Sequence, residues 1–241
     1  MKRFGEAEDP RRRWLIQALA MGAFSGAGIE ALAQVLGSAP SKLPAGKSVY
    51  RVNGQVLING QAATIESKIG AGSTIQTGKN SEVVYAVGES AFILRADSNV
   101  LVEAPPADSL VVTGIKLLTG KLLSVFPSRR PVSLTTRIAS IGIRGTGVYM
   151  EAEPDQTYFC TCYGVADVAA INDPESKETV AAKHHDRPLY ILANEQKGKN
   201  IRPAPFVNHT DQELSLIETL VGREPPFIFP KSDYMGPRRG Y

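Results

Sequence analysis

The stretch RIASIGIRGTGVYMEAEPDQTYFCTCYGVADV, residues 137–168, contains the features that decide the fold. Val, Ile, Thr, Tyr and Phe are frequent on both sides of a Pro-Asp-Gln break at residues 154–156, and these residue types favour β-strands. We therefore predict two strands joined by a short turn at that break. The second strand carries both cysteines of the chain, Cys160 and Cys162. Since residues two apart in a strand point to the same face, the two thiols are predicted to lie side by side.

Short strand-like runs closed by Gly, Asn or Asp extend this pattern over residues 48–168. Two of the breaks are the dipeptide Asn-Gly, at residues 53–54 and 59–60. This dipeptide is typical of a type I′ hairpin, because both central residues of that turn need positive φ. The prolines at residues 105–106 mark a surface crossing, since proline donates no ladder hydrogen bond. The spacing of the turns predicts a mainly β domain, an antiparallel β-sandwich or roll.

Three motifs in this region, in order, resemble those of the FecR family of bacterial envelope proteins: G-x-x-I-x-T-G-x-x-S, L-x-x-G-x-L and A-x-I-G-I-R-G-T. The matching residues are Gly72, Ile75, Thr77, Gly78 and Ser81 in the first, Leu117, Gly120 and Leu122 in the second, and Ala139, Ile141, Gly142, Ile143, Arg144, Gly145 and Thr146 in the third. The resemblance covers about residues 48–168. It implies a periplasmic all-β domain that makes protein contacts and performs no catalysis.

The first 33 residues have the order of a secretory signal: a charged start, an apolar stretch rich in Gly and Ala, and the sequence Ala-Leu-Ala at residues 31–33. Three arginines at residues 11–13 directly precede Trp14 and resemble a twin-arginine export signal. A membrane anchor is the alternative. The apolar stretch at residues 14–29 is shorter than the roughly 20 residues that a spanning helix needs, so we favour a signal peptide over residues 1–33.

The domain organisation follows from these assignments. FecR-type regulators of iron uptake place a sigma-factor-binding segment and a membrane helix before the periplasmic part, whereas about ten residues precede Arg11 here. We therefore expect a free-standing periplasmic module with no membrane span in its mature form. Residues 34–47 are predicted to be a linker, residues 48–168 the FecR-like β domain, and residues 169–241 a C-terminal extension.

The C-terminal extension contains the only helix predicted outside the signal, at about residues 209–221. Leu214, Ile217 and Leu220 recur at helical spacing behind a Thr or Asn cap, and Gly222 follows the last of them. The segment Asn-Asp-Pro-Glu-Ser-Lys-Glu at residues 172–178 is predicted to be a polar turn. Residues 227–241 are predicted to be an extended tail.

Composition argues against several classes of function. The chain has 241 residues, of which 43% are hydrophobic, and its net charge of +3 arises from scattered Lys and Arg. A nucleic-acid-binding protein would present a basic stripe instead. No Gly-rich phosphate loop follows a strand and opens a helix, and no Ser-His-Asp grouping is evident from spacing. We therefore assign no catalytic residues, and the resemblance to the FecR family implies a protein partner or an envelope component.

The two cysteines and the three histidines predict a metal site. Cα atoms two residues apart in a strand are separated by about 6.5 to 7 Å, at or beyond the reach of an unstrained disulfide. Two thiolates at this spacing can bind one zinc ion. The histidines are His184, His185 and His209, all downstream. Adjacent side chains of an extended chain point in opposite directions, so we expect His209 and one of the other two to complete a Cys2His2 site. Zinc is the expected ion, and iron and copper are alternatives.

Two other uses of the cysteines stay open. They could form a disulfide or cycle as a redox pair, which would make the chain a periplasmic thiol/disulfide redox protein. They could also be small buried side chains with a purely structural role, with His184 and His185 in a solvated loop and His209 as a helix cap. The Arg-Gly-Thr sequence at residues 144–146 is interpreted as a strand with a close backbone approach at Gly145, in preference to an anion-binding nest.

Overall fold

The computed structural model describes residues 40–103, 111–193 and 196–227 of the chain. The strands are β1 (Val49–Asn53), β2 (Val56–Ile58), β3 (Gln61–Ala62), β4 (Thr74–Thr77), β5 (Glu82–Val87), β6 (Ser90–Leu94), β7 (Asn99–Glu103), β8 (Gly114–Val125), β9 (Pro131–Thr135), β10 (Ala139–Ala152), β11 (Gln156–Ala170), β12 (Asp173–Ala182), β13 (Leu189–Leu192) and β14 (Ile201–Pro203). One helix, α1 (Asp211–Leu220), occurs in these ranges. The prediction of mainly antiparallel β-structure with one short helix is confirmed.

Several predicted features lie outside the described residues. These are the export signal at residues 1–33, residues 34–39 of the linker, the proline crossing at residues 105–106, and the tail beyond residue 227. Within the described ranges, no helix is both long enough and apolar enough to cross a lipid bilayer.

Three long strands, β8, β10 and β11, run through both layers of a folded sheet. Residues 147–152 of β10 pair with β8, whereas residues 140–144 pair with β9. Likewise, β11 pairs with β13 at residues 156–159 and with β12 at residues 164–170. The first layer contains β1, β5, β6, β13 and β14, and the second contains β2, β3, β4, β7, β9 and β12. Only β8 and β9 pair in parallel among the described strands.

Two glycines allow β10 and β11 to pass from one layer to the other. Gly145 has φ +57° and Gly164 has φ +96°, values that residues with a side chain rarely adopt. A Cβ atom on Gly164 would lie 2.7 Å from the carbonyl oxygen of Gly145, and one on Gly145 would lie 2.6 Å from Cβ of Ser128. These distances confirm the interpretation of the Arg-Gly-Thr sequence as a strand with a close backbone approach.

The inner core lies between the two layers, where apolar side chains of both form one cluster. Its fully buried members include Tyr85, Phe92 and Leu122 from the first layer, and Ile115 and Leu134 from the second. Burying one Leu or Phe side chain contributes about 1.5 to 3 kcal/mol. The inner core therefore holds the two layers together through many similar contributions.

A second apolar cluster, the outer cluster, covers the opposite face of the first layer. Its members include Ile93, Leu123, Val125, Tyr149, Tyr158, Cys160, Cys162, Leu214, Ile217 and Leu220. The last three belong to α1, so the helix packs on this face. At its start, the Thr210 hydroxyl accepts a hydrogen bond from Glu213 N while the Glu213 carboxylate accepts one from Thr210 N, which is a capping box. A ten-residue helix is only marginally stable alone, so packing on the sheet must stabilise it.

The Asn-Gly prediction is correct at one position and wrong at the other. Asn59 and Gly60 both have positive φ and connect β2 to β3. Residues 53–54 form no hairpin, because β1 pairs with the distant strand β5 and not with β2. Gly54 is instead packed so closely on Ser81 that a Cβ atom would lie 2.4 Å from the Ser81 hydroxyl oxygen. Long-range pairing here overrides a local turn preference.

The predicted polar turn at residues 172–178 is also wrong from residue 173 on, since residues 173–178 belong to β12. This strand pairs with β11 along one side, at an edge of the sheet. An edge strand tolerates Pro174, whose missing N–H is not needed by a second neighbour. The alternation of exposed and buried residues along β12 explains why its sequence is so polar.

Candidate metal centre

Cys160 and Cys162 lie in the first half of β11, between β10 and β13, and both are fully buried in the outer cluster. Because side chains two residues apart in a strand point to the same side, both thiols lie on one face, while Phe159 points into the inner core. No disulfide joins the two cysteines in the structure. The predicted side-by-side placement of the thiols is therefore observed.

His185 and His209 complete a cluster around these thiols. Cys160, Cys162, His185 and His209 are all buried, and their four ligand atoms lie within 4.8 Å of one another. His185 follows the end of β12, and its backbone N–H donates to the carbonyl oxygen of Cys162 over 2.9 Å. His209 stands directly before the cap of α1, where its ring stacks on Tyr149 with the ring centroids 4.5 Å apart. Segments before and after β13 thus bring both imidazoles over the strand.

Two of the distances within the cluster are close to those of a tetrahedral site. His185 Nδ1 lies 3.5 Å from Cys160 Sγ and 3.1 Å from His209 Nε2. Around a tetrahedral zinc ion, ligand atoms at the usual bond lengths are about 3.3 to 3.8 Å from one another. Small movements of the side chains would therefore allow all four to bind one ion.

Each of the two histidines also has a partner for its other ring nitrogen. His209 Nδ1 lies 2.7 Å from the carbonyl oxygen of Val207, which can only accept, so this nitrogen carries the proton and Nε2 presents its lone pair to the cluster. His185 Nε2 lies 3.0 Å from Asp211 Oδ1, and donation to this carboxylate directs Nδ1 toward the thiols. Such partners are typical of metal-binding histidines.

His184 occupies a different position. Its imidazole is 29% exposed, and its Nε2 lies 2.9 Å from Asp211 Oδ2. With His185 and Asp211 it forms a second group of potential ligands that does not include the thiols. The expectation that His184 and His185 point in opposite directions is wrong, because His185 has φ +53° in a turn and both rings therefore reach Asp211.

The electrostatics of the cluster favour an anionic sulfur. Burial raises the pKa of Cys160, but hydrogen bonds with Cys162, His185 and His209 outweigh burial and hold that pKa well below its usual value. Burial and the neighbouring Cys160 raise the pKa of Cys162. Burial lowers the pKa of His185, yet hydrogen bonds to Asp211 and Cys160 raise it to about 9 overall. A thiolate is the form of cysteine that binds metals.

Asp211 is the residue that sequence reasoning missed at this site. Its carboxylate is fully buried, and both oxygens accept hydrogen bonds from imidazoles. Burial raises the pKa of Asp211, but the hydrogen bonds from His185 and His184 outweigh it and lower the pKa. The sequence analysis included Asp211 only as part of the predicted helix at about residues 209–221. The sequence feature that could have identified Asp211 was its position two residues after His209.

Further polar contacts hold α1 and the segment before it on the sheet. The Tyr158 hydroxyl donates to the carbonyl oxygen of Pro205 over 3.0 Å and accepts from Val207 N. The Tyr163 hydroxyl donates to Glu218, which also pairs with Arg223 at 2.7 Å. The segment before α1 and the helix itself are therefore bonded to β11 at several points.

The motif residues of the FecR resemblance do not join the cluster. The Ser81 hydroxyl accepts from Gln55 N, the Thr77 hydroxyl accepts from Ser98 N, and the Thr146 hydroxyl donates to the carbonyl oxygen of Val165. These bonds fix turns and strand crossings. The motifs therefore describe the β-fold, and the Cys/His cluster is a separate feature.

No protein-family model and no curated protein matches the chain. Two crystal structures of a "putative anti-sigma factor" from Parabacteroides distasonis, at 2.50 and 1.65 Å resolution, are similar to 54% of it with TM-scores of 0.42 and 0.43 and 14% identity. The chain spans 58% of the length of these structures. A similarity of this size identifies neither a family nor a function.

Proposed function

We propose that this protein is an exported, non-catalytic FecR-type β domain that binds a protein partner or envelope component or senses a ligand. We further propose that one transition-metal ion, zinc, fastens its C-terminal extension on the sheet. The observation that carries the metal proposal is the convergence of four buried ligand atoms, from Cys160, Cys162, His185 and His209, within 4.8 Å.

The chemistry of the four ligands favours zinc. Two sulfurs and two imidazole nitrogens are one of the donor sets of structural zinc sites. The orientation of both imidazoles by second partners, Asp211 and the Val207 carbonyl, supports the same assignment, since metal-binding histidines are usually held in this way. Iron and copper are the alternatives that metal analysis would distinguish.

Burial of the site supports a structural role for the ion. Cys160, Cys162 and His209 are fully buried, and His185 is 8% exposed. A catalytic zinc site uses three protein ligands and keeps a fourth position for water or substrate. Four protein ligands in a closed site leave no such position, so the proposal of a non-catalytic protein and the proposal of a structural ion agree.

Metal content tests this part of the proposal. Protein purified without chelators should contain about one zinc ion per chain, and its two thiols should react only after a chelator removes the metal. Replacement of His185 with Ala should abolish stoichiometric metal, whereas His184→Ala, the matched control, should retain it. Metal-free protein with two freely titrating thiols under native conditions would contradict the proposal.

A thiol/disulfide redox protein is the second candidate. The low pKa of Cys160 favours it, because a reactive thiol needs thiolate character. The complete burial of both sulfurs opposes it, since a redox partner needs access to one of them. Oxidised protein that contains an intramolecular disulfide and no metal would favour this candidate.

The proposed location has its own test. The arginines at residues 11–13 and the Ala-Leu-Ala sequence at residues 31–33 are the basis of the proposed twin-arginine export. Replacement of the three arginines with Lys should leave uncleaved precursor in the cytoplasm, as measured by fractionation and N-terminal sequencing. Unchanged delivery to the periplasm would exclude the twin-arginine route.

A further inference from the structure

We infer that Asp211, the first residue of α1, orients the metal ligand His185 without binding the metal itself. Metal binding and the packing of α1 on the sheet would therefore stabilise each other. The inference rests on the proposed metal site and adds a regulatory property to it. Anything that displaces α1 would weaken metal binding, and loss of the metal would loosen α1.

Asp211 is placed to control the direction of the His185 ring. Its Oδ1 atom lies 3.0 Å from His185 Nε2, and its Oδ2 atom lies 2.9 Å from His184 Nε2. An isolated buried carboxylate is destabilising, and these two imidazoles are the partners that compensate for its burial. Because Oδ1 holds Nε2 of His185, the other ring nitrogen faces Cys160 at 3.5 Å.

The position of Asp211 is fixed by the helix. It directly follows Thr210, the residue whose capping box with Glu213 defines the first turn of α1. A carboxylate at a helix N-terminus is also favoured by the positive end of the helix dipole. His209 lies one residue before the cap, so a metal ligand and the carboxylate that orients the other histidine move together with this turn.

The helix is also held on the sheet by apolar side chains that are not ligands. Leu214, Ile217 and Leu220 pack in the outer cluster. Ile217 lies six residues after Asp211, which corresponds to about 9 Å along the helix axis. Removing part of Ile217 therefore changes the packing of α1 on the sheet without removing a ligand or Asp211. Because coupling between two sites is reciprocal, metal removal must affect α1 by the same factor.

The first test compares two buried carboxylates by titration of the chelator-treated full chain with Co²⁺ and with Zn²⁺. Asp211→Asn should raise the Kd for both ions by about 10- to 100-fold, the usual effect of losing an outer partner. The thiolate-to-cobalt absorption should persist, because the ligands are unchanged. Asp173→Asn is the matched control, because Asp173 is also a buried carboxylate with several donors but lies at the opposite end of β12 from His184. Equal losses in both variants, or none in Asp211→Asn, would overturn the inference.

The second test does not depend on how Asp211→Asn folds. Ile217→Ala should raise the Kd for Co²⁺ by about 5-fold or more, the lower range of typical couplings, and metal removal should speed hydrogen exchange in α1. Leu134→Ala in the inner core, which destabilises the fold elsewhere, should leave the Kd unchanged. An unchanged Kd in Ile217→Ala with intact wild-type binding would overturn the coupling alone. If the wild-type chain takes up no Co²⁺ or Zn²⁺, the proposed metal site fails, and the inference fails with it.

Discussion

The two faces of the first sheet layer are stabilised in different ways. The inner face packs against the second layer through the inner core, in which strands far apart in the chain contribute similar apolar side chains. The outer face is covered by α1 and the segments around it. It includes the two cysteines, the candidate metal ligands His185 and His209, and several buried polar contacts. The first face depends on many small contributions, and the second on a few specific ones.

This difference predicts how substitutions on the two faces should differ in their effects. A single truncation in the inner core leaves the surrounding strands paired, so the layers should stay assembled while stability falls. Loss of one specific group on the outer face should release its cover as a unit, because a ten-residue helix has little stability of its own. Three predictions sharpen this comparison.

The largest effect is expected for Cys160→Ser. Removal of one thiolate should abolish metal binding, and structural zinc sites have apparent binding free energies of about 10 to 16 kcal/mol. We therefore expect a larger loss of unfolding free energy than for any single truncation in the inner core. Denaturant unfolding and metal analysis measure both effects. Hydrogen exchange should show that α1 opens while β5 and β6 stay protected. Global unfolding of this variant would contradict the proposed difference between the two faces.

An intermediate effect is expected for Leu134→Ala. Leu134 in β9 is fully buried in the inner core, and truncation of such a residue costs about 2 to 5 kcal/mol. The protein should nevertheless bind metal at full stoichiometry, because β9 does not border the outer cluster. Denaturant unfolding of the metal-loaded protein measures the loss of stability, and elemental analysis measures the metal content. Loss of the ion from this variant would show that the two faces are not independent.

The smallest effect is expected for Glu218→Gln, through pH. Burial raises the pKa of Glu218 above its usual value of 4.5, although Tyr163 and Arg223 act in the opposite direction. A raised carboxyl pKa means that the folded state favours the protonated form, so its stabilisation is complete below pH 4.5 and is lost as pH rises through the folded pKa.

The Gln variant should therefore gain stability relative to wild type as pH rises from 4.5 through the folded pKa of Glu218, in unfolding experiments across that range. Leu134→Ala is the control, since it removes no titratable group. A difference between wild type and Glu218→Gln that stays constant with pH would contradict the assignment.

Local patterns predicted much of the fold. The β-favouring residues around residues 154–156 gave the pair β10 and β11, and the spacing of Leu214, Ile217 and Leu220 gave α1 within two residues at its start and one at its end. Both results depend on neighbours in sequence. The same period-two rule placed Cys160 and Cys162 on one face.

Pairing between distant strands could not be predicted in this way. The Asn-Gly sequence at residues 53–54 favours a hairpin, but β1 gains more from pairing with β5 in the inner core than from a local turn. The polar residues of β12 resemble a turn because an edge strand exposes one side to water. In both cases the deciding contacts come from strands remote in sequence.

The candidate site shows the same limit. The sequence gives the kinds of ligand, and an extended chain was assumed for His184 and His185. The positive φ of His185 turns both rings toward Asp211, and that turn is fixed by the bond from His185 N to Cys162. The role of Asp211 depends on where α1 docks, which no local pattern contains.

The passage of β8, β10 and β11 through both layers has a consequence for how the chain reaches its fold. Because the same three backbones belong to both layers, neither layer is a separable fragment, and the two must assemble in one cooperative step. Pairings such as β1 with β5 and β4 with β7 also join residues well separated along the chain. Folds dominated by such contacts form in milliseconds to seconds. The sandwich should therefore fold slowly and all at once, whereas α1 can add to its outer face afterwards.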